Sequence, residues 1–159
     1  MIGLIMVLIV ILIAVFAPAL TPFDLEEMDM GNALQVPGAD HKFGTDQYGR
    51  DLMTRIFYGT RISLVVGFVS VFFSMMIGVF VGLLAGYYGG WVDNLIGRII
   101  DVFLSFPVLL LSIALVAVMG GGGTVSVIAS LCLVSWTQYA RVVRSSVLVI
   151  REEEYVLAA

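Results

Sequence analysis

The sequence predicts an all-α polytopic membrane protein, and its composition and charge distribution carry that prediction. Hydrophobic residues make up 60% of the chain, charged residues make up 13%, and the mean hydropathy is +1.07. A soluble domain needs about a quarter charged residues to cover its surface. The 8 Lys and Arg and the 12 Asp and Glu side chains all lie outside three stretches, residues 1–23, 62–92 and 102–140. Because a charge at the bilayer centre costs about 2.5–3.5 kcal/mol, such charge-free stretches are typical of membrane spans.

The first span is predicted over residues 2–20, a length that crosses a hydrocarbon core of about 30 Å. Residues 17–19, Ala-Pro-Ala, resemble a signal-peptidase site of the A-x-A type. No basic residue precedes the apolar run, however. We therefore expect a retained span rather than a cleaved signal peptide.

The second span is predicted over residues 62–88. Small residues recur in it at every fourth position, namely Ser70, Ser74, Gly78, Gly82 and Gly86. This spacing lets two helix backbones approach closely, which is the usual basis of helix association in lipid. We interpret the row as a packing surface between helices rather than as a path for substrate.

The third stretch is too long for one span, since residues 102–140 as a single helix would measure about 58 Å. Residues 120–123 are consecutive glycines, which would cost a helix interior about 4 kcal/mol relative to alanine. We therefore predict a third span over residues 102–119, a glycine turn, and a fourth span that begins at Thr124. Pro107 is expected to kink or restart the third helix.

Between the second and third spans, residues 92–101 form the pattern of a short amphipathic helix, expected at the membrane interface with Trp91 among the headgroups. Arg98 and Asp101 have the spacing of an ion pair on its polar face. Four spans place both ends of the chain on the same side of the membrane. The positive-inside rule does not decide which side, because the basic residues divide evenly between the two compartments in either orientation.

The polar segment at residues 24–60 is predicted to end in a helix. Thr45 or Asp46 would cap this helix, which would run to about Tyr58. Two acid–base pairs in it have the spacing of helical ion pairs, Asp46 with Arg50 and Asp51 with Arg55.

No catalytic, metal or cofactor motif is visible in the sequence. His41 is the sole histidine, and an isolated imidazole does not predict a metal centre. Lys42, the sole lysine, does not lie in a P-loop, and no Ser-His-Asp or H-E-x-x-H spacing occurs. The net charge of −4 argues against a nucleic-acid partner, which requires clustered Lys and Arg. The sequence therefore predicts neither an enzyme nor a cofactor. If the protein performs work, the energy is expected to come from another subunit.

The fourth span is predicted to continue without a helix breaker through Arg141 and Arg144 into residues 151–159, Arg-Glu-Glu-Glu-Tyr-Val-Leu-Ala-Ala. An amphipathic helix begins there, and the sequence then stops without a cap, glycine or proline. We therefore expect a fragment of a longer protein.

Several spaced motifs occur in one order along the chain. Residues 43–51 read F-G-T-D-Q-Y-G-R-D, and after Arg55 residues 58–64 read Y-G-T-R-I-S-L. Further motifs are A-G-Y-Y-G-G-W-V-D at 85–93, then Arg98, Asp101 and Phe106-Pro107, then Y-A-R-V-V-R at 139–144 and E-Y-V-L-A-A at 154–159. Together they resemble the C-type subunit of the dipeptide and oligopeptide ABC importer permeases. The first two of these motifs are matched at Gly44, Thr45, Asp46, Gly49, Arg50, Asp51 and Arg61.

The resemblance implies a type I ABC importer transmembrane domain in a bacterial inner membrane, with four of six expected spans present and a cytoplasmic N-terminus. Residues 1–60 would form an N-terminal span with a periplasmic segment. Residues 61–159 would form the transmembrane domain, truncated within the loop that couples it to ATP hydrolysis. The start of this coupling loop is matched by Glu154, Tyr155, Ala158 and Ala159, whereas Leu157 departs from the family's E-A-A triplet.

The implied function is that of a membrane-spanning permease subunit for dipeptides or oligopeptides. The implied partners are a second permease subunit, two ATP-binding subunits, a periplasmic or lipoprotein substrate-binding protein and the lipid bilayer. One alternative is a permease for nickel or another small solute, because related importers share these motifs. An alternative from a different class is a small standalone membrane scaffold or channel-like protein. The predicted spans contain no row of ionisable side chains that could line a pore, which argues against this last alternative.

Overall fold

The computed structural model describes residues 1–151, which are largely helical. The elements in chain order are α1 (Ile2–Leu20), a 3₁₀ turn (Met30–Asn32), α2 (Leu52–Tyr88), α3 (Gly90–Leu104), α4 (Val108–Val118) and α5 (Thr124–Arg151). Within these described residues the only strand-like feature is an isolated antiparallel bridge between Thr45 and Asp51. The prediction of an all-α fold is confirmed.

The chain divides into two compact units, Met1–Val65 and Val66–Ala159. The first unit holds α1, the polar segment that follows it and the first turns of α2. The second unit holds the remainder of α2 together with α3, α4 and α5. Each unit has its own internal packing.

α1 is the predicted first span. It carries no charged side chain and is long and apolar enough to cross a membrane. Ala14 and Ala17 are buried, whereas most of its other side chains are exposed, as lipid-facing residues are. The helix includes Pro18 and ends at Leu20, where Thr21 Oγ1 donates to the carbonyl of Ala17 at 3.0 Å. The predicted helix over residues 2–20 is confirmed.

α2 is longer than the predicted second span. It begins at Leu52 and continues past Tyr58 without a break to Tyr88. The prediction of a separate helix ending near Tyr58 is therefore wrong, and so is its predicted cap. The capping residue is Asp51, whose Oδ2 accepts a hydrogen bond from the backbone N–H of Thr54 at 2.7 Å.

The third predicted span is not one helix. α3 extends to Leu104, α4 begins only at Val108, and the two helices are bent by 88°. Pro107 causes this break, because it lacks a backbone N–H and keeps the residue before it out of the helical conformation. The predicted break at this proline is confirmed, and it divides the predicted third span between the last residues of α3 and the whole of α4.

The glycine run forms the predicted turn between α4 and α5. Gly120 has φ +89° and Gly121 has φ +103°, a region of backbone conformation that residues with a Cβ rarely adopt. α5 then runs unbroken from Thr124 to Arg151. The predicted start of the fourth span is confirmed, and residues 152–159 lie outside the described part of the chain.

The effect of a substitution in the glycine run on stability should depend on the backbone conformation at that residue, because an added side chain would meet no neighbouring atoms. Replacing Gly121 by alanine should destabilise the chain by about 1–3 kcal/mol, because a Cβ is disfavoured at its positive φ. Gly122 is the matched control, since it lies in equally open space without a positive φ, and its alanine variant should melt like the parent. Thermal unfolding in detergent measures both. Equal behaviour of the two variants would contradict the turn geometry.

Candidate functional site

The small residues of α2 form a buried seam against α5. Ser70, Ser74, Gly78, Gly82 and Gly86 are all buried. Side chains added at the three glycines would collide with α5. A Cβ at Gly78 would lie 2.6 Å from the carbonyl oxygen of Trp136, and a Cβ at Gly82 would lie 2.6 Å from that of Ala140. The two backbones therefore approach closely, as small-residue spacing allows.

The seam fixes α2 and α5 in a parallel register. A Cβ at Gly86 would meet Val147 Cβ at 2.6 Å, so the contacts advance along both helices together. At one end of the seam the Cys132 thiol lies 3.5 Å from the carbonyl oxygen of Ser70. At the other end the Arg151 guanidinium donates to the carbonyl of Tyr87 at 3.4 Å.

Because α2 and α5 are parallel, the chain between the end of α2 and the start of α5 must run back along the length of these helices. α3 and α4 make this return, and both pack against α5. Three helices, α1, α2 and α5, are each long and apolar enough to cross a membrane, and α3 with α4 passes the same test as a bent pair. Counted as one crossing, the bent pair brings the candidate spans of the described residues to the predicted number of four, although it includes residues 92–101, which were predicted to lie at the membrane interface.

An ion pair joins α3 to α5. The Arg144 guanidinium donates to both carboxylate oxygens of Asp93, from Nε to Oδ1 and from Nη2 to Oδ2, the latter at 2.8 Å. Further along α3, the rings of Phe103 and Trp136 meet edge to face with centroids 6.0 Å apart. α3 thus runs antiparallel to α5.

The sequence analysis did not predict this ion pair. It predicted instead a pair between Arg98 and Asp101, which is absent from the described residues. Asp93 and Arg144 lie 51 residues apart, and no local spacing rule connects residues at that distance. Both residues do occur in the motifs quoted above, which is the only signal that pointed to them.

Asp46 organises the motif loop, residues 43–51, which carries the first motif. Its carboxylate accepts hydrogen bonds from the backbone N–H groups of Tyr48 and Arg50, at 2.8 and 3.1 Å. It also accepts from the Arg50 Nε at 2.9 Å, as the sequence predicted, and from Arg55. Arg55 therefore pairs with Asp46, and its predicted pairing with Asp51 is wrong.

The neighbouring motif residues tie this loop to the segment before it. Thr45 Oγ1 accepts from the Gln35 amide at 2.8 Å and donates to the carbonyl of Asn32. Gly44 and Gly49 adopt φ +77° and +73°, and both pack against backbone where a Cβ would collide. The remaining motif residue, Arg61, lies exposed on α2 outside this network.

Asp51 joins the loop to the start of α2. In addition to capping the helix, it receives a hydrogen bond from the Thr54 hydroxyl at 2.8 Å. Its other oxygen lies 3.1 Å from Nδ1 of His41, and the His41 ring packs on Phe23. Among residues 1–151, no group of three His, Cys, Asp or Glu side chains could hold a metal ion.

The two loop carboxylates are stabilised in their ionised form. Burial raises the pKa of Asp46, but hydrogen bonds from the Arg50 and Tyr48 amides and from the Arg50 guanidinium outweigh it and lower the pKa from 3.8 to about 2. Burial likewise raises the pKa of Asp51, and the hydrogen bonds from Thr54 and His41 lower it below its usual value. Both groups therefore act as anionic acceptors that hold the loop together.

Two known families match parts of the chain. Residues 78–159 match the family described as the binding-protein-dependent transport system inner membrane component. Residues 1–37 match the N-terminal TM domain of oligopeptide transport permease C. The chain belongs to this family of binding-protein-dependent transport system inner membrane components. It is a multi-pass protein of the inner membrane.

Individual relatives are permease subunits. The chain is 48% identical to the dipeptide transport system permease protein DppC of Alkalihalophilus pseudofirmus, over 99% of this chain and 52% of the relative. It is 38% identical to the oligopeptide transport system permease protein OppC of Bacillus subtilis, over 100% of this chain and 52% of the relative. It is 46% identical to the glutathione transport system permease protein GsiD of Salmonella typhimurium, over 96% of this chain and 50% of the relative. The chain thus spans about half the length of these curated relatives.

A single methyl group should distinguish the seam from the exposed side of α2. Gly82→Ala should destabilise the chain by about 1–3 kcal/mol, because α2 and α5 must separate to admit it. Gly67 is exposed on the same helix with open space around it, so Gly67→Ala should gain up to about 1 kcal/mol from helix propensity. Opposite shifts of the thermal midpoint are expected. A neutral Gly82→Ala variant would refute the close approach.

The motif loop should lose protection at acid pH. Because the folded-state pKa of Asp46 is lowered, its contribution to stability is complete above pH 3.8 and is lost as the pH falls to about 2. The measurement is the hydrogen-exchange protection factor of the Tyr48 and Arg50 amides across this range. Asp46→Asn should lower both factors at neutral pH and flatten the acid dependence. The exposed Asp40 supplies the control, and an Asp40→Asn variant that behaved like Asp46→Asn would contradict the assignment.

Proposed function

We propose that the chain is the membrane-spanning part of a permease subunit in an ATP-driven importer of dipeptides or oligopeptides. The family match over residues 78–159 carries this proposal, because that region contains most of the seam and both partners of the Asp93–Arg144 pair. The named relatives favour peptides over nickel, since they are permeases for dipeptides, oligopeptides and glutathione. Membership of a transport family also favours a permease over the standalone scaffold.

The importer is proposed to contain a second permease subunit, two ATP-binding subunits and a periplasmic or lipoprotein substrate-binding protein. The family's description as the inner membrane component of a binding-protein-dependent system supports this composition. The sequence contains no P-loop in which the sole lysine, Lys42, could contact phosphate. ATP hydrolysis is therefore proposed to take place in the ATP-binding subunits, with this chain acting as a transport subunit.

The N-terminus is proposed to lie in the cytoplasm. Residues 1–60 would then form the first span and a periplasmic segment containing the motif loop. Residues 61–159 would form the transmembrane domain. α2 and α5 end on one side, because Arg151 contacts the carbonyl of Tyr87. In this orientation that side is cytoplasmic, and it is where residues 152–159 continue the chain.

The coupling loop is proposed to begin at Glu154, Tyr155, Ala158 and Ala159, which lie outside the described residues. A force applied there by an ATP-binding subunit would reach α5 first. α5 contacts α2 along the seam and also contacts α3 and α4, so its movement would carry all four helices. Such a stiff group, rocking between inward-open and outward-open states, is what alternating access requires.

Two buried hydroxyls show that the seam is not fully stabilised. Within the described residues, Ser70 Oγ and Ser74 Oγ have no hydrogen-bond partner. An unsatisfied buried hydroxyl costs about 1–3 kcal/mol. The seam is therefore proposed to depend on the close fit of the two backbones and not on hydrogen bonds from these serines.

The coupling assignment is tested in the complete importer reconstituted in vesicles with its binding protein. Ala158→Asp should leave assembly and binding-protein docking intact but abolish ATP-driven uptake of a labelled dipeptide, because a charge would face the ATP-binding subunit. Ala158→Ser is the matched control and should transport like the parent.

Uptake at the parental level by Ala158→Asp would show that Ala158 does not lie at the contact with the ATP-binding subunit.

The same vesicles test the substrate class. The parent should accumulate labelled dipeptide and not Ni²⁺. Accumulation of Ni²⁺ alone would replace the peptide proposal with the nickel alternative.

A further inference from the structure

The Asp93–Arg144 pair has the geometry of a strong, partly shielded contact. Both carboxylate oxygens accept from the guanidinium, and the side chains of Arg144 and Asp93 are only 29% and 16% exposed. Two parallel charge-assisted hydrogen bonds fix orientation as well as distance. Such a pair resists rotation of one helix against the other, which a single hydrogen bond would permit.

Gly97 lies directly beneath the Arg144 guanidinium. A Cβ at position 97 would lie 3.5 Å from Cζ, Nη1 and Nη2 of Arg144, so the guanidinium plane lies against the α3 backbone. Asp93 and Gly97 are four residues apart and share one face of α3. Asp101 lies on the same face one turn further on, but it is exposed and, among the described residues, forms no ion pair with Arg144. The α3 surface under Arg144 is thus shaped and charged for a guanidinium.

α3 is attached to α5 at two separated points. One point is the Asp93–Arg144 pair, and the other is the edge-to-face contact of Phe103 with Trp136. The ten residues between the two α3 positions span about 15 Å. A helix held at one point can pivot about it, whereas a helix held at two points follows its neighbour in both position and orientation.

We propose that the Asp93–Arg144 pair is a positioning link that makes α3, and α4 beyond it, move with the C-terminal end of α5. Arg144 lies two turns before Arg151, where the proposed coupling loop approaches. Force on that loop therefore reaches Arg144 before it reaches Trp136. The link transmits this force to α3 near the start of the bent pair, and without it α3 pivots about the Phe103–Trp136 contact. This inference rests on the proposed function.

The test compares three variants in the complete importer, reconstituted with its binding protein and ATP-binding subunits: Asp93→Asn, the double variant Asp93→Asn with Arg144→Gln, and Asp101→Asn. The readouts are the thermal midpoint of the assembled complex, the rate of ATP hydrolysis and the dipeptide molecules taken up per ATP hydrolysed. Asp101 is the matched control, because it is an exposed carboxylate on α3 and is outside the ion pairs of the described residues.

The double variant separates a positioning role from a structural one. Asp93→Asn alone leaves Arg144 unpaired, which lowers the thermal midpoint. Neutralising Arg144 as well removes the unpaired charge and should restore the midpoint. Uptake per ATP should nevertheless remain reduced by about 2- to 30-fold in both variants, because neither has the link. Asp101→Asn should transport like the parent.

Recovery of both the midpoint and the uptake per ATP in the double variant would show that the pair only stabilises the fold, and would overturn the inference. Parental uptake per ATP in Asp93→Asn would overturn it as well. In either case an active parent would leave the proposed function standing. A parent that takes up no dipeptide with ATP would instead overturn the proposed function and this inference together.

Discussion

The close approach of the α2 and α5 backbones is the contact on which the packing of the second unit depends. In lipid, apolar burial does not drive helices together, so van der Waals contact between backbones has to do so. Gly78, Gly82 and Gly86 provide it by leaving no side chain between the helices. Because the contact repeats on successive turns, it fixes direction and register as well as proximity. The parallel direction then obliges the intervening chain to fold back along α5.

α5 is consequently the helix that the others share. α2 meets it through backbone contact, α3 through an ion pair and an aromatic contact, and α4 by lying close alongside it. These contacts differ in what they resist. Backbone contact prevents α2 and α5 from coming closer together, whereas the bidentate Asp93–Arg144 pair resists rotation of α3 against α5. A helix held in these several ways can carry a displacement from its own C-terminal end to its neighbours, which is the property that a transport subunit needs.

The sequence predicted those features that depend on residues close together in the chain. The apolar spans, the four-residue row in α2 and the glycine turn at residues 120–123 all follow from local composition. The start of α2 was placed wrongly because several residues around Asp51 can cap a helix, and the hydrogen bonds that Thr54 donates to Asp51 decide between them. The Asp93–Arg144 pair was missed because its partners lie 51 residues apart in the chain and are brought together only by the packing of α3 against α5.

The motif loop and the seam are held together by opposite means, and the difference follows from chemistry. The loop buries few apolar side chains, so its conformation depends on amides and guanidinium groups that donate to Asp46. Such contacts weaken when the carboxylate is protonated or screened by salt. The seam depends on shape, and neither pH nor salt changes the size of a glycine. Acid and salt are therefore expected to weaken the loop before they weaken the seam.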